Sequence, residues 1–281
     1  MTVISKGGWL LNSQKLFLTD LDGTLLTDAK DISPATMKAL QDFVQAGNVF
    51  AICTGRGTEN ALYMQEHYSL TFPGSFVIAY NGAEIWDHDR QKVIYRTGIE
   101  LSVVEELLSM AEEMKVHVHT FNDRYIVSSA YDEEMVYYKR IIKTPVIITD
   151  DVLKELDKPP CKLIGVELHD FERIEAYRKA VDQRFGLLLT TTYSNPNYLE
   201  IFPREAGKGA ALLRLCEYTG ISVENAYAAG DAENDIPMIL AAGTGIAMIN
   251  GSVPIREAAD VITEKDNNHD GLVPFLLRAA G

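Results

Sequence analysis

The sequence predicts an α/β fold, in which a core with a doubly wound parallel sheet carries an inserted α+β domain. Three observations lead to this prediction. Near the start, short apolar β-forming runs alternate with amphipathic helices, an order typical of a parallel sheet. From residue 84 to residue 195 the pattern changes to hairpins and helices, which is typical of an antiparallel sheet. The strand–helix alternation then resumes, so we predict a core domain of residues 1–83 and 196–281 and an inserted domain of residues 84–195.

Length and composition are those of an ordinary globular protein. The 281 residues correspond to about two domains, and 47% of them are hydrophobic. The net charge of −14 argues against nucleic acid or an anionic membrane as the main partner. Because the same charge repels an anionic substrate at long range, a phosphate site has to be built from local cations and a metal.

The cysteines and the N-terminal stretch indicate the cellular compartment. The three cysteines are odd in number and widely spaced, so they indicate neither a disulfide framework nor a zinc site. The N-terminal stretch has one apolar patch, Trp9-Leu10-Leu11, which is too short for a signal peptide, and no apolar run approaches membrane-spanning length. We therefore expect a cytoplasmic protein.

Three strand–helix units are predicted at the start of the chain. Ser33-Pro34 supplies a helix N-cap and a proline at the first helical position, and Gly47 ends that helix. The predicted strands here are 16–19, 49–53 and 76–80, and a second helix covers 59–68.

The remaining elements follow from the same patterns. In the inserted segment we predict hairpins at 84–96 and 116–129, helices at 103–114, 132–142, 151–156 and 171–185, and strands at 162–168 and 187–191. After residue 195 we predict strands at 198–202, 226–229, 245–249 and 261–263, and helices at 210–218, 234–242 and 272–279.

An acidic turn follows the first strand. Asp20 and Asp22 stand two residues apart where that strand ends, and Gly23 lets the chain turn sharply. The carboxyl edge of a parallel sheet is where such folds bind ligands. Two carboxylates this close need a cation or a shared proton, and Mg²⁺ prefers oxygen ligands. The turn therefore predicts a magnesium site, with a simple acidic turn after a strand as the alternative when the motif is taken alone.

Three further features stand at a strand end or a helix start. They are Thr54, Lys208, and the group Asp231, Asn234 and Asp235. Phosphoryl transfer needs such a set, because charge develops on three phosphoryl oxygens and catalysis is mainly positioning and electrostatics. A hydroxyl and an ammonium can hold those oxygens, while one carboxylate attacks and a second transfers the proton. Taken singly, each feature could also be an ordinary turn or solvated helix start.

The motifs DLDGTLL, TGR, NGA, GKG and GDAENDIPMI, in this order, resemble the successive motifs of the haloacid dehalogenase superfamily. In particular, the chain is similar to the Cof-type phosphatases, which carry a large type IIB cap between the second and third motifs. The resemblance covers nearly the whole chain after residue 14. It implies a Rossmann-like core, with the inserted domain as its cap.

By position, the resemblance also implies a role for each site residue. Asp20 is the expected nucleophile and Asp22 the expected general acid and base. The residues expected to bind phosphate are Thr54, Gly55, Lys208 and Asn234, and the expected Mg²⁺ ligands are Asp20, the Asp22 backbone carbonyl and Asp231. Asp235 is expected to bind Lys208 or a metal-bound water. Arg56 and Asn81 are expected near the cap-facing mouth of the site, as substrate-binding residues.

The cap offers weaker indications. The candidates for substrate contact are the polar turn 119–124, Tyr125 and Lys143, although exposed surface positions are the more common explanation for each. His117 and His119 share one face of a predicted strand. No third ligand accompanies them, so we favour a surface or packing role over a metal site.

We therefore predict a Mg²⁺-dependent phosphatase that hydrolyses small phosphorylated metabolites, of the sugar phosphate or pyridoxal phosphate class, through an aspartyl-phosphate intermediate. Two alternatives stay open: a sugar phosphomutase on the same core, and a non-catalytic sensor of a phosphorylated ligand. The expected partner is a small phosphate ester, with no nucleic acid and no membrane, and the expected assembly is a monomer or a weak homodimer.

Overall fold

The computed structural model describes residues 14–142 and 144–281. Lys143, a candidate for substrate contact, lies outside the described residues. The strands are β1 (Leu16–Thr19), β2 (Val49–Cys53), β3 (Phe76–Ala79), β4 (Glu84–Asp87), β5 (Lys92–Arg96), β6 (His117–Phe121), β7 (Ile126–Ser128), β8 (Val146–Ile148), β9 (Leu163–Val166), β10 (Leu189–Asn195), β11 (Tyr198–Pro203), β12 (Ala226–Gly230), β13 (Thr244–Ala247) and β14 (Val261–Ile262). The α-helices are α1 (Pro34–Gln45), α2 (Thr58–His67), α3 (Leu101–Met114), α4 (Glu133–Ile141), α5 (Phe171–Phe185), α6 (Lys208–Thr219), α7 (Ile236–Ala241), α8 (Val253–Ala258) and α9 (Val273–Ala280).

The first sheet has eight strands in the order β14-β13-β12-β1-β2-β3-β4-β5. The strands from β14 to β3 are parallel, whereas β4 and β5 are antiparallel to their neighbours. From β1 the chain first moves outward on one side, to β2 and β3, and later fills the other side with β12 to β14. The order of the sheet therefore reverses between β1 and β12, the position at which open α/β sheets bind ligands.

Helices cover both faces of this sheet. Successive side chains of a strand point to opposite faces, so Phe17 packs in one apolar cluster while Leu16 and Leu18 pack in another. The first cluster includes residues of α1, α2 and α9, and the second includes residues of α6, α7 and α8. The prediction of a doubly wound parallel sheet is confirmed.

The second sheet has six strands in the order β10-β11-β9-β6-β7-β8, and all neighbours are antiparallel except β7 and β8. Helices α3 and α5 pack on one face, where Leu107 and Tyr177 meet Leu163. Helix α4 packs on the other face, where Tyr138 meets Ile164. This sheet and its helices form the predicted α+β unit, which is called the cap below.

The hairpin β4–β5 and the strand β11 each lie in a different sheet from the one predicted. The hairpin β4–β5, expected in the inserted segment, extends the first sheet, because β4 pairs with β3. Strand β11, expected to resume the core, pairs with β9 and β10 in the cap. In each case the strand pairs with the one just before it in the chain, the commonest arrangement for sequential strands. From this sheet membership we propose domain boundaries between β5 and α3 and between β11 and α6, rather than at residues 83 and 196.

Along the described part of the chain, none of the helices combines the length and the apolar character that crossing a bilayer requires.

Candidate active site

The site lies at the carboxyl edge of the first sheet, where β1 and β12 end side by side. Thr19 and Ala229 are register partners in these parallel strands, so Asp20, the next residue after Thr19, and Asp231, two residues after Ala229, emerge at the same edge. The backbone N–H of Asp20 donates to the Ala229 carbonyl at 3.0 Å. Oxygen atoms of Asp20, Asp231 and Asp235 all lie within 4.8 Å of one another.

Lys208 joins this carboxylate cluster from the first turn of α6. Its ammonium lies 2.6 Å from Asp20 Oδ1 and 2.5 Å from Asp235 Oδ1, and its side chain is completely buried. Gly207, just before the helix, has φ 129°, a conformation open to glycine that lets the chain enter α6 at this point. The second oxygen of Asp235 accepts the backbone N–H groups of Asp231 and Ala232, both at 3.1 Å. Asp235 therefore anchors Lys208 directly.

Burial and mutual repulsion set the charge states of these groups. Burial raises the pKa of Asp20 to about 7 against the attraction of Lys208, and Asp235 and Asp231 add to the rise. Burial likewise raises the pKa of Asp231 to about 6, although a hydrogen bond from Thr24 opposes the rise. For Lys208, burial opposes the charge, but Asp20 and Asp235 outweigh it and hold its pKa well above the ordinary value. The centre thus holds three carboxyl groups beside one ammonium, and ionisation of Asp20 and Asp231 is unfavourable without a further cation.

This excess of carboxylate fits a divalent cation with oxygen ligands. Asp20 and Asp231 are the residues whose carboxylates are placed to hold it, since both oxygens of Asp235 are engaged as described. Thr24 donates to Asp231 Oδ1 at 2.7 Å and so orients that carboxylate. Gly23, with φ +78°, passes so close to Asp231 that a Cβ atom would lie 2.5 Å from its Oδ2. Only glycine allows this approach.

The Asp22 carboxylate has other partners. It accepts Lys30 Nζ at 2.6 Å and Arg56 Nη2 at 2.8 Å. Partial burial opposes its ionisation, but these two hydrogen bonds outweigh it and lower the pKa of Asp22. Both of its carboxylate oxygens are thus bound by cations, and the group that the resemblance assigns to the metal is its backbone carbonyl.

The loop of residues 54–56, called the Thr54 loop below, follows β2. Thr54 is buried, and its Oγ1 accepts the backbone N–H of Arg56 at 3.2 Å. Asn81 follows β3, and its backbone N–H donates to the Thr54 carbonyl at 3.0 Å. The Asn81 side chain accepts from Asn234 Nδ2 at 3.4 Å. Asn81 thereby links the Thr54 loop to the turn that carries Asp231 and Asp235.

A cavity of about 330 Å³ lies between this edge and the cap. From the core it is lined by residues that include Asp20, Asp22, Thr54, Gly55, Arg56 and Asn234. From the cap it is lined by residues that include Phe121, Asn122, Asp123, Tyr138, Lys162 and Glu200. The structure therefore brings the predicted core residues together at one cavity or directly behind it; their individual roles stay predictions.

The predicted cap residues are only partly at this cavity. Asn122 and Asp123 line it, whereas Arg124 and Tyr125 do not. His119 is fully buried instead, and its Nδ1 lies 3.1 Å from His117 Nε2. The buried position of His119 agrees with the packing role that the sequence favours for the pair.

Sequence reasoning missed several residues of the site. Thr24 and Lys30 contact the carboxylates, and Lys162, Glu200 and Tyr138 reach the cavity from the cap. For Glu200 a signal was present, because a single carboxylate stands inside the apolar run that forms β11. The partners of Glu200, Asn81 and Lys162, could not be predicted, since these contacts join residues distant along the chain.

The chain belongs to the haloacid dehalogenase-like hydrolase family, whose family model matches residues 17–276. It is a phosphatase of that family, and the predicted family and class of enzyme are confirmed. The crystal structure of a haloacid dehalogenase-like hydrolase from Bacteroides thetaiotaomicron superposes with a TM-score of 0.83 at 28% identity, covering 94% of this chain and 99% of that chain.

Two curated relatives match along almost their whole length. The 5-amino-6-(5-phospho-D-ribitylamino)uracil phosphatase YitU of Bacillus subtilis is 28% identical over 267 residues, which cover 93% of this chain and 96% of the relative. The pyridoxal phosphate phosphatase YbhA of Escherichia coli is 25% identical over 272 residues, which cover 93% of this chain and 97% of the relative.

Proposed function

We propose that this phosphatase hydrolyses small phosphate monoesters with the help of Mg²⁺, through a phosphoryl group carried transiently by Asp20. The observation that carries the proposal is the buried ammonium of Lys208 between Asp20 and Asp235, with Asp231 beside them. This arrangement keeps a carboxylate oxygen at the cavity while a fixed positive charge stands next to it.

In the first step, a carboxylate oxygen of Asp20 attacks phosphorus, and the bond between phosphorus and the leaving oxygen breaks. The Lys208 ammonium, the Thr54 hydroxyl and the Asn234 amide hold the phosphoryl oxygens as charge develops on them. In the second step, water attacks the acyl phosphate, releasing phosphate and restoring the Asp20 carboxylate. When bound, Mg²⁺ held by Asp20 and Asp231 supplies further neutralisation of the phosphoryl charge.

Asp22 is the residue proposed to transfer protons. It gives a proton to the leaving oxygen in the first step and takes one from the attacking water in the second. Its hydrogen bonds to Lys30 and Arg56 favour the ionised form, which suits the second step. For the first step the carboxylate has to be released from at least one of these cations.

For the substrate we propose a small phosphorylated metabolite of the sugar phosphate or pyridoxal phosphate class. A cavity of about 330 Å³ is in the range of small-molecule sites. Phe121, Tyr138 and Tyr80 give it an aromatic lining, which supports a ring-bearing leaving group. The two curated relatives described above are named as phosphatases of 5-amino-6-(5-phospho-D-ribitylamino)uracil and of pyridoxal phosphate, which are both ring-bearing phosphate esters. The cytoplasmic location, the absence of nucleic-acid and membrane partners and the monomer or weak homodimer stay predictions.

The test is a screen of phosphorylated metabolites with purified protein, with MgCl₂ and with EDTA, and with phosphate release as the readout. We expect turnover that depends on added Mg²⁺ and is highest for one class of ester. An absence of phosphate release from every ester, including p-nitrophenyl phosphate, would contradict the proposal.

A further inference from the structure

We propose that Lys162 and Glu200 of the cap form a positioning pair for the Thr54 loop and Asn81 of the core. The pair makes the cap a structural part of the phosphate-binding site and not only its cover. The proposal rests on the proposed phosphatase function, because it assigns a role within the same site.

The two side chains are buried and bound to each other. Lys162 directly precedes β9 and Glu200 lies in the neighbouring strand β11. Lys162 Nζ lies 3.4 Å from Glu200 Oε2, and the side chains are only 7% and 8% exposed. Removing one member of a buried ion pair leaves the other charge buried without compensation, which is strongly unfavourable. The pair is therefore expected to stay together as a unit.

Both members also bind the core. Lys162 Nζ donates to the backbone carbonyl of Gly55 at 2.8 Å. Glu200 Oε2 accepts from Asn81 Nδ2 at 2.8 Å. The Gly55 carbonyl lies in the middle of the Thr54 loop, and Asn81 lies in the turn after β3. One ion pair in the cap thus bonds to two neighbouring segments of the core.

These two segments are themselves joined. Besides the Asn81–Thr54 bond, the backbone N–H of Tyr80 donates to the Arg56 carbonyl at 2.8 Å. Tyr80 and Asn81 have φ angles of 50° and 54°. Such left-handed conformations are uncommon outside glycine and persist only where surrounding contacts hold them. The hydrogen bond that Asn81 Nδ2 donates to Glu200 is one of those contacts, and Asn81 Oδ1 accepts a hydrogen bond from the Asn234 amide.

Lys162 and Glu200 therefore act through other residues. They touch the Thr54 loop and Asn81, which place the Thr54 hydroxyl and the Asn234 amide that face the phosphoryl group. A displacement of about 1 Å in such groups lowers the rate about 10²-fold. Losing the pair should thus lower kcat for every phosphate ester, whatever its leaving group.

The experiment compares Glu200→Gln, Lys162→Met and the double variant with Glu167→Gln. Glu167 is the matched control, because it is also a buried cap carboxylate in an ion pair, with Arg173 Nη2 at 2.5 Å. Its carboxylate accepts hydrogen bonds from the backbone N–H groups of His169 and Asp170 and from Arg173 Nε, all of the cap. We measure kcat and KM for p-nitrophenyl phosphate and for the best ester of the screen. Hydrogen–deuterium exchange of a peptide containing Tyr80 and Asn81 supplies a readout independent of turnover.

We expect each single variant to lower kcat for both esters by about 10- to 100-fold, with KM changed far less. The double variant should be no slower than the slower single variant, since the two residues work as one unit. Exchange at Tyr80 and Asn81 should quicken in all three variants. Glu167→Gln should retain the kcat and the exchange rate of the unaltered protein.

Two results would overturn the inference. One is a rise of KM confined to the larger ester with kcat for p-nitrophenyl phosphate unchanged, which would make the pair a leaving-group contact. The other is exchange at Asn81 equal to that of Glu167→Gln. If the unaltered protein hydrolyses no ester, the proposed function fails, and the exchange comparison still decides the positioning role.

Discussion

At the scale of single residues, the candidate active site is a balance of buried charges. The sequence predicted Asp20, Lys208, Asp231 and Asp235 as a group, but it left Asp235 between two partners, Lys208 and a metal-bound water. In the structure Asp235 bonds to Lys208 Nζ and to two backbone N–H groups. This choice depends on distances between side chains, which a sequence pattern does not contain.

Asp20→Asn is the direct test of the nucleophile. An amide cannot form the acyl phosphate, so we expect kcat to fall by about 10⁴-fold or more. The fold should be retained, because Lys208 keeps its bond to Asp235. Phosphate release measures the first expectation and circular dichroism the second. Appreciable residual turnover by the folded variant would remove Asp20 from the nucleophile role.

Lys30→Met tests the proton transfer by Asp22. Lys30 is one of the two cations that lower the pKa of Asp22, so its removal should raise that pKa towards the ordinary value. A larger fraction of Asp22 is then protonated at a given pH, and the limb of the pH–rate profile that requires the acid should move to higher pH.

The measurement is kcat/KM as a function of pH for two substrates. An alkyl phosphate needs a proton on its leaving oxygen and should show the shift. p-Nitrophenyl phosphate has a good leaving group and serves as the control with little shift. Superimposable profiles of the variant and the unaltered protein for the alkyl ester would argue against Asp22 as the acid.

At the scale of elements, close approaches of the backbone position the site. The turn after β3 packs against the residue before α6: a Cβ atom at Gly82 would lie 2.4 Å from the Gly207 carbonyl oxygen. Gly82 also has φ +100°. Because Lys208 directly follows Gly207, this contact helps to set where α6 delivers its ammonium.

Gly82→Ala should therefore be more destabilising than Gly47→Ala. Both glycines have positive φ, which costs alanine about 1–2 kcal/mol at each position. Only Gly82 adds a backbone clash, worth about 1–3 kcal/mol more, since a Cβ at Gly47 would meet nothing within 4 Å. Urea unfolding of the two variants gives the difference. Equal losses of unfolding free energy would show that the turn adjusts without strain.

Most elements were readable from the sequence. Helix α1 begins at the predicted Ser33-Pro34, where the Ser33 side chain accepts the Thr36 N–H, and α5 covers its predicted range. The short elements β8 and α8 were not predicted, because three to six residues carry too little periodicity. The predicted sheet membership of β4, β5 and β11 was wrong, since the pairing partners of a strand are set by tertiary contacts.

At the scale of the whole molecule, the cavity exists only because the two sheets meet. Its core side was predicted from motifs, whereas most of its cap side was not. The residues that the cap contributes come from separate places in the chain with no common motif, such as Lys162 before β9, Glu200 in β11 and Tyr138 in α4. Substrate selection should therefore reside mainly in the part of the site that sequence patterns describe least.

Mg²⁺ should stabilise the molecule more at high pH than at low pH. The pKa of Asp20 is raised to about 7 and that of Asp231 to about 6, from 3.8. Between the ordinary pKa of 3.8 and these raised values, the metal-free folded state binds more protons than the unfolded state. The stability of the metal-free protein therefore falls as pH rises from about 4 to about 7. Mg²⁺ needs the ionised carboxylates and offsets this loss.

The measurement is the melting temperature with saturating MgCl₂ and with EDTA, at about pH 5.5 and about pH 8. We expect a clear rise on adding Mg²⁺ at the higher pH and little change at the lower one. Asp231→Asn, which removes one proposed ligand, should lose most of the rise. An equal effect of Mg²⁺ at both pH values would place the cation away from these carboxylates.

The sequence by itself determined the fold class, the strand ends that carry Asp20, Thr54 and Asp231, and the lysine of α6. Local spacing suffices there, because parallel strands bring their carboxyl ends to one edge of a sheet. Only the tertiary structure decided which charges pair, which sheet holds β4, β5 and β11, and that Lys162 and Glu200 of the cap bind the Thr54 loop and Asn81. These contacts join residues far apart in the chain, and their formation depends on packing between elements that no local pattern encodes.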